Sequence, residues 1–414
     1  MIQNVRGTKD LFGDEIKNFD NIINISQKIG QNFGFLPLQT PIFEFSDVFE
    51  RNLGDDSDII SKEVYKFPDR GDNFLTLRPE FTAAIIRSFL NHSELNQQLP
   101  QKLFSFGPIF RYDRPQKGRQ RQFHQINFEL IGAADLNYDV ELILLASKIL
   151  QNLQIKDFTL QINSLGCAET KNKYEIELKN YFSKYKNDLS KDSQDRLLKN
   201  PLRILDSKDK NDNKIASQAP KISNFYSSEA KNRFENILSN LDNFNIKYEV
   251  NERLVRGLDY YTSTVFEFTT NDLGAQNTIL AGGRYDDLIA KMGSKNQVAA
   301  AGFAAGIERL MLLSEFEVKK ARPICLIYYS KAESLYCTKL AEKLRAENLY
   351  VDILYGANFK KQMKKASQLD AKYIIVIGGD EIKNNLFKVK DFDIGNEIIL
   401  KDSEIINFFK NVSF

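Results

Sequence analysis

Residues 103–131 read LFSFGPIFRYDRPQKGRQRQFHQINFELI. Two strand-like runs flank a charged loop containing Pro115 and Gly118, the pattern of a β-hairpin with a long connection. Along the second run, His124, Ile126, Phe128 and Leu130 share one face, and Phe123, Gln125, Asn127 and Glu129 share the other. The first face packs on something. The second sets amides and a carboxylate in the middle of a sheet, as the solvated outside of an antiparallel sheet or as the floor of a pocket. The loop favours the pocket. Arg111, Arg114, Lys117, Arg119 and Arg121 stand against a single Asp113, and such cations repel one another unless an anion joins them. The planar fork of arginine suits a phosphate. A small-molecule site beside a nucleotide is expected. His124, on the apolar face, reads as a packed structural histidine and not as a general base.

Working outward, Ile16, Phe19, Ile22, Ile25, Ile29 and Phe33 recur at helical spacing up to Gly34. Phe35 to Phe45 is extended, and Pro41 removes a ladder donor, which makes this strand an edge or an interface element. Phe74 to Leu77 is a strand, and Arg78-Pro79-Glu80 puts a carboxylate just past its end, able to bind an amine. Tyr138 to Leu153 is a helix. From about Ala168 to Ser228 the chain turns polar, an inserted helical module with a partly mobile stretch expected around Lys208 to Lys214. Strand patterns return from Tyr248 to Phe268 and near Thr278 to Leu280. Within the former, Arg256-Gly257 allows a ligand to approach backbone. Gly302 to Arg309 opens a helix with small residues, as close packing or as ligand contact, and it lacks the lysine of a Walker-type phosphate loop. After a charged linker at Phe316 to Arg322, strands at Ile324 to Tyr329, Val351 to Leu354 and Tyr373 to Ile377 alternate with helices at Lys331 to Glu347 and Asn358 to Leu369. This is a separate α/β domain with a parallel or mixed sheet.

With 414 residues, two or three domains are expected, and 42% hydrophobic against 27% charged residues excludes a disordered chain or a fibre. Fifty-seven basic and 55 acidic side chains leave a net charge of +2, so any nucleic acid must be held by a local patch. Cys167, Cys325 and Cys337 are too few for a disulfide framework, and with only His92 and His124 no zinc cluster, and no protein metal site, can be drawn. The N-terminus lacks the apolar core of a signal peptide, and no run of eighteen apolar residues exists. A cytoplasmic chain without membrane association is expected.

Taken in this order, the segments resemble the histidyl-tRNA synthetase family, a class II aminoacyl-tRNA synthetase family, over nearly the whole chain. Phe35 to Phe45 looks like motif 1, Phe110 to Glu129 like motif 2 and Gly302 to Arg309 like motif 3. Leu254 to Thr262 and Gly282-Gly283-Arg284-Tyr285-Asp286 look like the two stretches characteristic of the histidine-specific members. The resemblance implies an α+β fold: a class II antiparallel-sheet catalytic domain, residues 1–320, with a helical insertion at about 168–228, plus an α/β anticodon-binding domain, residues 323–414. It implies a homodimer through motif 1.

The implied reaction joins histidine to ATP, with Mg2+ on the phosphates, as histidyl-adenylate, and then moves histidine to tRNA(His). By similarity, Arg111 and Arg256 are catalytic. Arg111 would hold the α-phosphate, Arg309 the γ-phosphate, and Arg256 would lie near the carboxylate and α-phosphate. Asp113 and Arg119 complete the ATP contacts. Glu80, Thr82 and Gln125 would bind the α-amino group, and Glu129 and Tyr261, with Tyr260 beside them, the imidazole. Asp113 stands where the family usually carries Glu, and Phe81 stands where a smaller residue is expected, reshaping the amine subsite. In the last domain, Lys360, Lys361, Lys364 and Lys365 share one helix face opposite Phe359, Met363 and Ala366. This is a solvated face or, as the resemblance favours, an RNA backbone patch. Two other readings fit less of the chain. A noncatalytic regulator of histidine biosynthesis built on the same fold typically lacks the last domain and the counterpart of Arg256. A prolyl- or threonyl-type class II synthetase does not account for the Glu129/Tyr261 pairing.

Overall fold

The structure is a computed structural model and describes residues 2–53, 63–115, 119–273, 277–315, 321–356 and 358–412. Lys117 and Gly118 of the hairpin loop, and most of the linker beginning at Phe316, lie outside the described residues. Contacts divide the chain into two compact units, Met1–Glu317 and Val318–Phe414. The architecture is α+β.

The hairpin forms from strands Gln101–Phe110 and Gln122–Ile131, in register from Gln101 opposite Ile131 to Phe110 opposite Gln122. It lies in an eight-stranded sheet. In order, the strands are Leu36–Pro37, Gln101–Phe110, Gln122–Ile131, Ala300–Gly306, Thr278–Arg284, Thr264–Thr269, Thr159–Ser164 and Tyr248–Val250. The two outermost pairs are parallel and the rest antiparallel. Alternation decides what each face does. Ile126, Phe128 and Leu130 enter a core closed by helices Asp14–Asn32 and Asn137–Asn152. Asn127 and Glu129, on the other face, are buried as well, at 2% and 1% exposure. The polar face is therefore covered by protein and is not a solvated exterior.

The first helix ends as its sequence dictates. Gly34 takes φ +83°, and Phe35 N–H returns to the Gly30 carbonyl. Gly30 itself gives Phe128 its place, since a Cβ there would meet the ring at 2.5 Å. The extended piece Phe35 to Phe45 is split into two edge strands of different sheets, with Pro41 in neither: Leu36–Pro37 borders the large sheet, and Phe43–Phe45 borders a three-stranded sheet with Phe74–Leu77 and Tyr65–Pro68. Arg78 ties these pieces together from a fully buried position. It donates to the Pro108, Thr40 and Pro41 carbonyls and stacks on Phe81 at 4.2 Å. Burial lowers its pKa to about 10, against the opposing effect of Glu44.

Two expectations are corrected. The small-residue run is a strand, Ala300–Gly306, and the helix starts only at Ile307. The Tyr248–Phe268 pattern is not continuous strand. It breaks between Val250 and Thr264 into an irregular segment that carries Arg256 to Tyr261. Around Lys208 to Lys214 the chain forms helix Lys210–Ala216, capped by the Asp209 carboxylate. Asp212 in that helix is fully buried and accepts from the hydroxyls of Ser190, Ser193 and Ser207, which fastens the turn to its neighbours.

The second unit has a five-stranded mixed sheet. Val351–Ile353, Ile324–Tyr328 and Tyr373–Ile377 are parallel, and Leu386–Asp391 and Glu397–Lys401 continue antiparallel. The last two strands are absent from the sequence reading, although Phe387 and Val389, buried, alternate with exposed or half-buried Leu386, Lys388 and Lys390 as a strand requires. Helix Phe359–Gln368 buries Gln362 and Ala366 and exposes Lys360, Lys361, Lys364 and Lys365.

Candidate active site

The polar face of the Gln122–Ile131 strand is the floor. On the adjacent strand, Gly306 lies opposite Gln125, Ala304 opposite Asn127 and Gly302 opposite Glu129. The small-residue run thus has a steric purpose, because it leaves room above the sheet for the longer side chains beside it.

Glu129 is the centre of a buried polar cluster. Its carboxylate accepts from the Thr82 and Tyr285 hydroxyls and, at 3.1 Å, from Asn127 Nδ2. Burial, the largest influence, pushes its pKa up to about 8, although all three hydrogen bonds lower it. Tyr260, Tyr261 and Tyr285 close the space above, with ring centroids 4.7 Å (Tyr260–Tyr261), 5.4 Å (Tyr260–Tyr285) and 6.4 Å (Tyr261–Tyr285) apart. Burial raises all three phenols, so they stay neutral donors. Gly283, at the sheet's surface, is what admits Tyr261: a Cβ there would meet its ring at 2.8 Å.

Glu80 lies just past its strand, as expected, and caps the next helix. Its two oxygens accept from Thr82 N–H at 2.5 Å and Ala83 N–H at 2.9 Å. Burial raises its pKa, with those bonds opposing. Each oxygen keeps a lone pair for a further donor. The Phe81 ring is fully buried beneath Arg78, in the core cluster that also holds Tyr260, Tyr261 and Tyr285.

The second part of the site is cationic. Arg111 donates to the Pro79 carbonyl at 2.9 Å, and Arg309 to the Thr278 carbonyl at 2.7 Å. Arg309 is held below its ordinary pKa by burial and then by repulsion from Arg119 and Arg111. Arg111 is likewise lowered by burial, with Arg119 adding to the effect. Three guanidinium groups, two from the hairpin and one from helix Ile307–Leu313, therefore lie within electrostatic reach of one another. Asp113 pairs with Arg119 at 2.8 Å and accepts from the Arg114 amide at 2.6 Å.

Arg256 approaches from the irregular segment. Its NH1 pairs with Glu267 at 2.8 Å, and Glu267 also accepts from Thr278 Oγ1 at 3.0 Å. Its charge lowers the Tyr261 phenol against the stronger effect of burial. Arg256 Nε, Gln125 Oε1 and Asn127 Oδ1 are buried with no partner among the described residues. Unpaired buried polar atoms cost about 1–3 kcal/mol each, and here they are left where a polar ligand can take them up.

The sequence-predicted residues thus fall in two groups. Glu80, Thr82, Gln125, Glu129, Tyr260 and Tyr261 surround the polar floor, and Arg111, Asp113, Arg119 and Arg309 form the cationic group, with Arg256 near Tyr261. His124 is outside, on the opposite face of its strand. Its Nδ1 and backbone N–H both bind Glu308, and Phe19 meets its ring edge-on at 4.8 Å. Sequence reasoning gave no role to Tyr285 or Glu267. Tyr285 sits in a quoted stretch, but its bond to Glu129 spans the fold, and only pairing of distant strands reveals it. Glu267 was detectable as a lone carboxylate in an apolar strand.

A family model described as Histidyl-tRNA synthetase matches residues 7–310, and one described as Anticodon binding domain matches residues 324–412. The histidine–tRNA ligase of Wolbachia pipientis wMel is 52% identical over 409 residues, covering 98% of this chain and 99% of its own length. That of Rickettsia bellii is 47% identical over 410 residues, with 99% of each chain covered. The crystal structure of apo S. aureus histidyl-tRNA synthetase superposes with a TM-score of 0.84 at 32% identity, over 99% of this chain and 100% of that one. With a polar pocket, a cluster of guanidiniums and this likeness along its full length, the chain belongs to the histidyl-tRNA synthetase family.

Proposed function

We propose that histidine lies on the floor around Glu129 and that ATP lies along the guanidinium cluster, so that the pocket makes histidyl-adenylate. As a family member the chain is a ligase that forms an aminoacyl-tRNA bond, with ATP as substrate. The observation that carries the site assignment is the buried floor with Gln125 Oε1, Asn127 Oδ1 and Arg256 Nε unpartnered among the described residues, supported by the mutual repulsion of Arg111, Arg119 and Arg309.

The chemistry follows from that arrangement. The histidine carboxylate attacks the α-phosphorus, the bond to the β-phosphate oxygen breaks, and pyrophosphate leaves. No protein nucleophile is required. Charge builds on the five-coordinate phosphorus, and preorganised guanidiniums stabilise it without rearranging. Arg111 holds the α-phosphate and Arg309 the γ-phosphate, and Arg119, steered by Asp113, completes the ATP contacts. Arg256 brings carboxylate and phosphate together while Glu267 anchors its other side. Mg2+ accompanying ATP as part of the substrate would supply charge neutralisation on the phosphates. Glu80, Thr82 and Gln125 take the α-amino group. Glu129 and Tyr261 take the two imidazole nitrogens, and Tyr260 and Tyr285 wall the ring. An isostere without ring nitrogens leaves these groups unpaired, which supports discrimination of roughly 10⁴-fold without editing.

The tRNA substrate is tRNA(His), with the second unit, and its exposed lysines on helix Phe359–Gln368, taking the anticodon arm. Leu36, Phe43 and Phe45 on edge strands, and Phe74 on the strand beside Phe43–Phe45, are large, apolar and exposed, which supports a homodimer through that surface. Three free cysteines fit a reducing cytoplasm, and among the described residues no helix is long and apolar enough to cross a membrane. Coverage of both domains by named ligases favours the enzyme over the noncatalytic regulator.

Pyrophosphate exchange with each of the twenty amino acids tests this function. Exchange with histidine alone is expected. Exchange with none would support the regulator, and exchange with another amino acid would reassign the pocket.

A further inference from the structure

The segment between Val250 and Thr264 carries Arg256, Tyr260 and Tyr261 and has no regular secondary structure. Its carbonyls must find partners outside a ladder. The inserted helices supply them. Arg203 NH1 donates to the Arg256 carbonyl at 3.2 Å, and Lys171 Nζ donates to the Asp259 carbonyl at 3.3 Å and the Tyr261 carbonyl at 3.5 Å. Asn200 Nδ2 donates to Asp259 Oδ1 at 2.8 Å. These residues line one small crevice with Arg256, Asp259 and Tyr261. The Arg203 guanidinium also occupies the space beside Gly257, where a Cβ would lie 3.5 Å from it. The sequence had suggested a ligand there. Below the crevice the packing is continuous, with Tyr174, Leu178, Phe182, Leu197 and Leu202 of the insertion in one core with Tyr260 and Tyr261.

We propose that Lys171, Asn200 and Arg203 are positioning residues for adenylate formation: the insertion sets the Arg256–Tyr261 backbone and thereby aims Arg256 at the reacting phosphate. The proposal rests on the reading of Arg256 given above. It assigns the insertion a part in a step that involves no tRNA. A catalytic group misplaced by about 1 Å can cost on the order of 10²-fold, so these contacts act on kcat more than on binding.

The test is pyrophosphate exchange, run without tRNA, on Lys171→Met, Asn200→Ala, Arg203→Met and the triple variant, each with and without Arg256→Ala. The triple variant is expected to lose at least about tenfold in kcat with the KM for ATP nearly unchanged. In the Arg256→Ala background the same changes are expected to cost little more, because both act through one group. Arg203→Lys keeps a cationic donor and is expected to retain most of the rate. Exchange within twofold of the parent while tRNA charging falls would overturn the proposal and leave the insertion a purely RNA-directed role. Fully multiplicative losses would overturn it as well. Should the triple variant not fold, Asn200→Asp decides. It keeps the size and sets a carboxylate against Asp259; an expected loss of threefold or more supports the proposal, and an unchanged rate refutes it. If Arg256→Ala alone costs less than tenfold, the reading of Arg256 fails, which is separable from failure of the positioning contacts.

Discussion

Glu129 and Gly302 face each other across adjacent strands, and a Cβ on Gly302 would come within 1.8 Å of Glu129 Oε2. The glycine is therefore what lets the carboxylate lie over the sheet. Gly302→Ala should displace it. Overpacking typically costs about 1–3 kcal/mol of stability, and the KM for histidine should rise, by roughly five- to 150-fold if that whole cost falls on binding. The KM for ATP should move little, because the guanidinium cluster is elsewhere. Steady-state exchange kinetics with each substrate varied in turn measures this, and equal rises in both constants would contradict it.

The Glu129 carboxyl gives a pH signature. Its pKa of about 8 in the folded chain exceeds its ordinary value of 4.5, chiefly through burial. Between those two values the folded chain holds a proton that the unfolded chain does not. The associated stability is complete below the lower value and is lost as pH rises towards the upper one, at up to about 1.4 kcal/mol per pH unit. Glu129→Gln removes this dependence. The variant's thermal midpoint should therefore gain on the parent's from pH 5 to pH 8 and then run parallel. Tyr285→Phe deletes one of the bonds that lower the pKa and should move the parent's transition to higher pH. Parallel curves for parent and Glu129→Gln across the whole range would exclude the assignment.

Arg111, Arg119 and Arg309 repel one another in the free protein, so a polyanion should stabilise it. Tripolyphosphate at a hundred times its Kd should contribute about 2.7 kcal/mol, visible as a raised thermal midpoint. Arg309→Ala should weaken that shift while leaving the shift produced by histidine intact. A tripolyphosphate response unaltered by Arg309→Ala would move the phosphate site elsewhere.

What the sequence revealed and what it hid have physical reasons. Alternation along residues 122–131 separated Asn127 and Glu129 from Ile126 and Phe128, because strand geometry is local. It could not say whether the polar face met water or protein, since that depends on Tyr260, Tyr261 and Tyr285 arriving from far along the chain. The run from Ala300 to Gly306 misled for a related reason. Gly and Ala there look like a close-packed helix start, yet they answer to the space Glu129 takes on the neighbouring strand. The segment around Arg256 read as strand from its Val and Tyr residues, and only the insertion's side chains explain why it is not one.

The stretch that carries Tyr285 is pinned by a buried ion pair, which yields the last prediction. Arg284 is 1% exposed and binds Asp139 through Nε at 3.0 Å and NH2 at 2.9 Å; its NH1 donates to the Ala133 carbonyl and to Asp286. Arg233 adds a second cation to Asp139 at 2.7 Å. Removing one partner of such a pair strands the other, at a cost of about 3–5 kcal/mol, whereas replacing both with apolar side chains costs much less. Asp139→Asn should therefore lower the thermal midpoint markedly, and Asp139→Leu combined with Arg284→Met should restore part of the loss, since Arg233 and Asp286 still lose a partner. Because Tyr285 follows Arg284 directly, the single variant should also raise the KM for histidine before it affects the KM for ATP. Calorimetry and exchange kinetics on the two variants check both halves. A double variant no more stable than Asp139→Asn would show that the pair itself, and not the stranded charge, holds this part of the sheet.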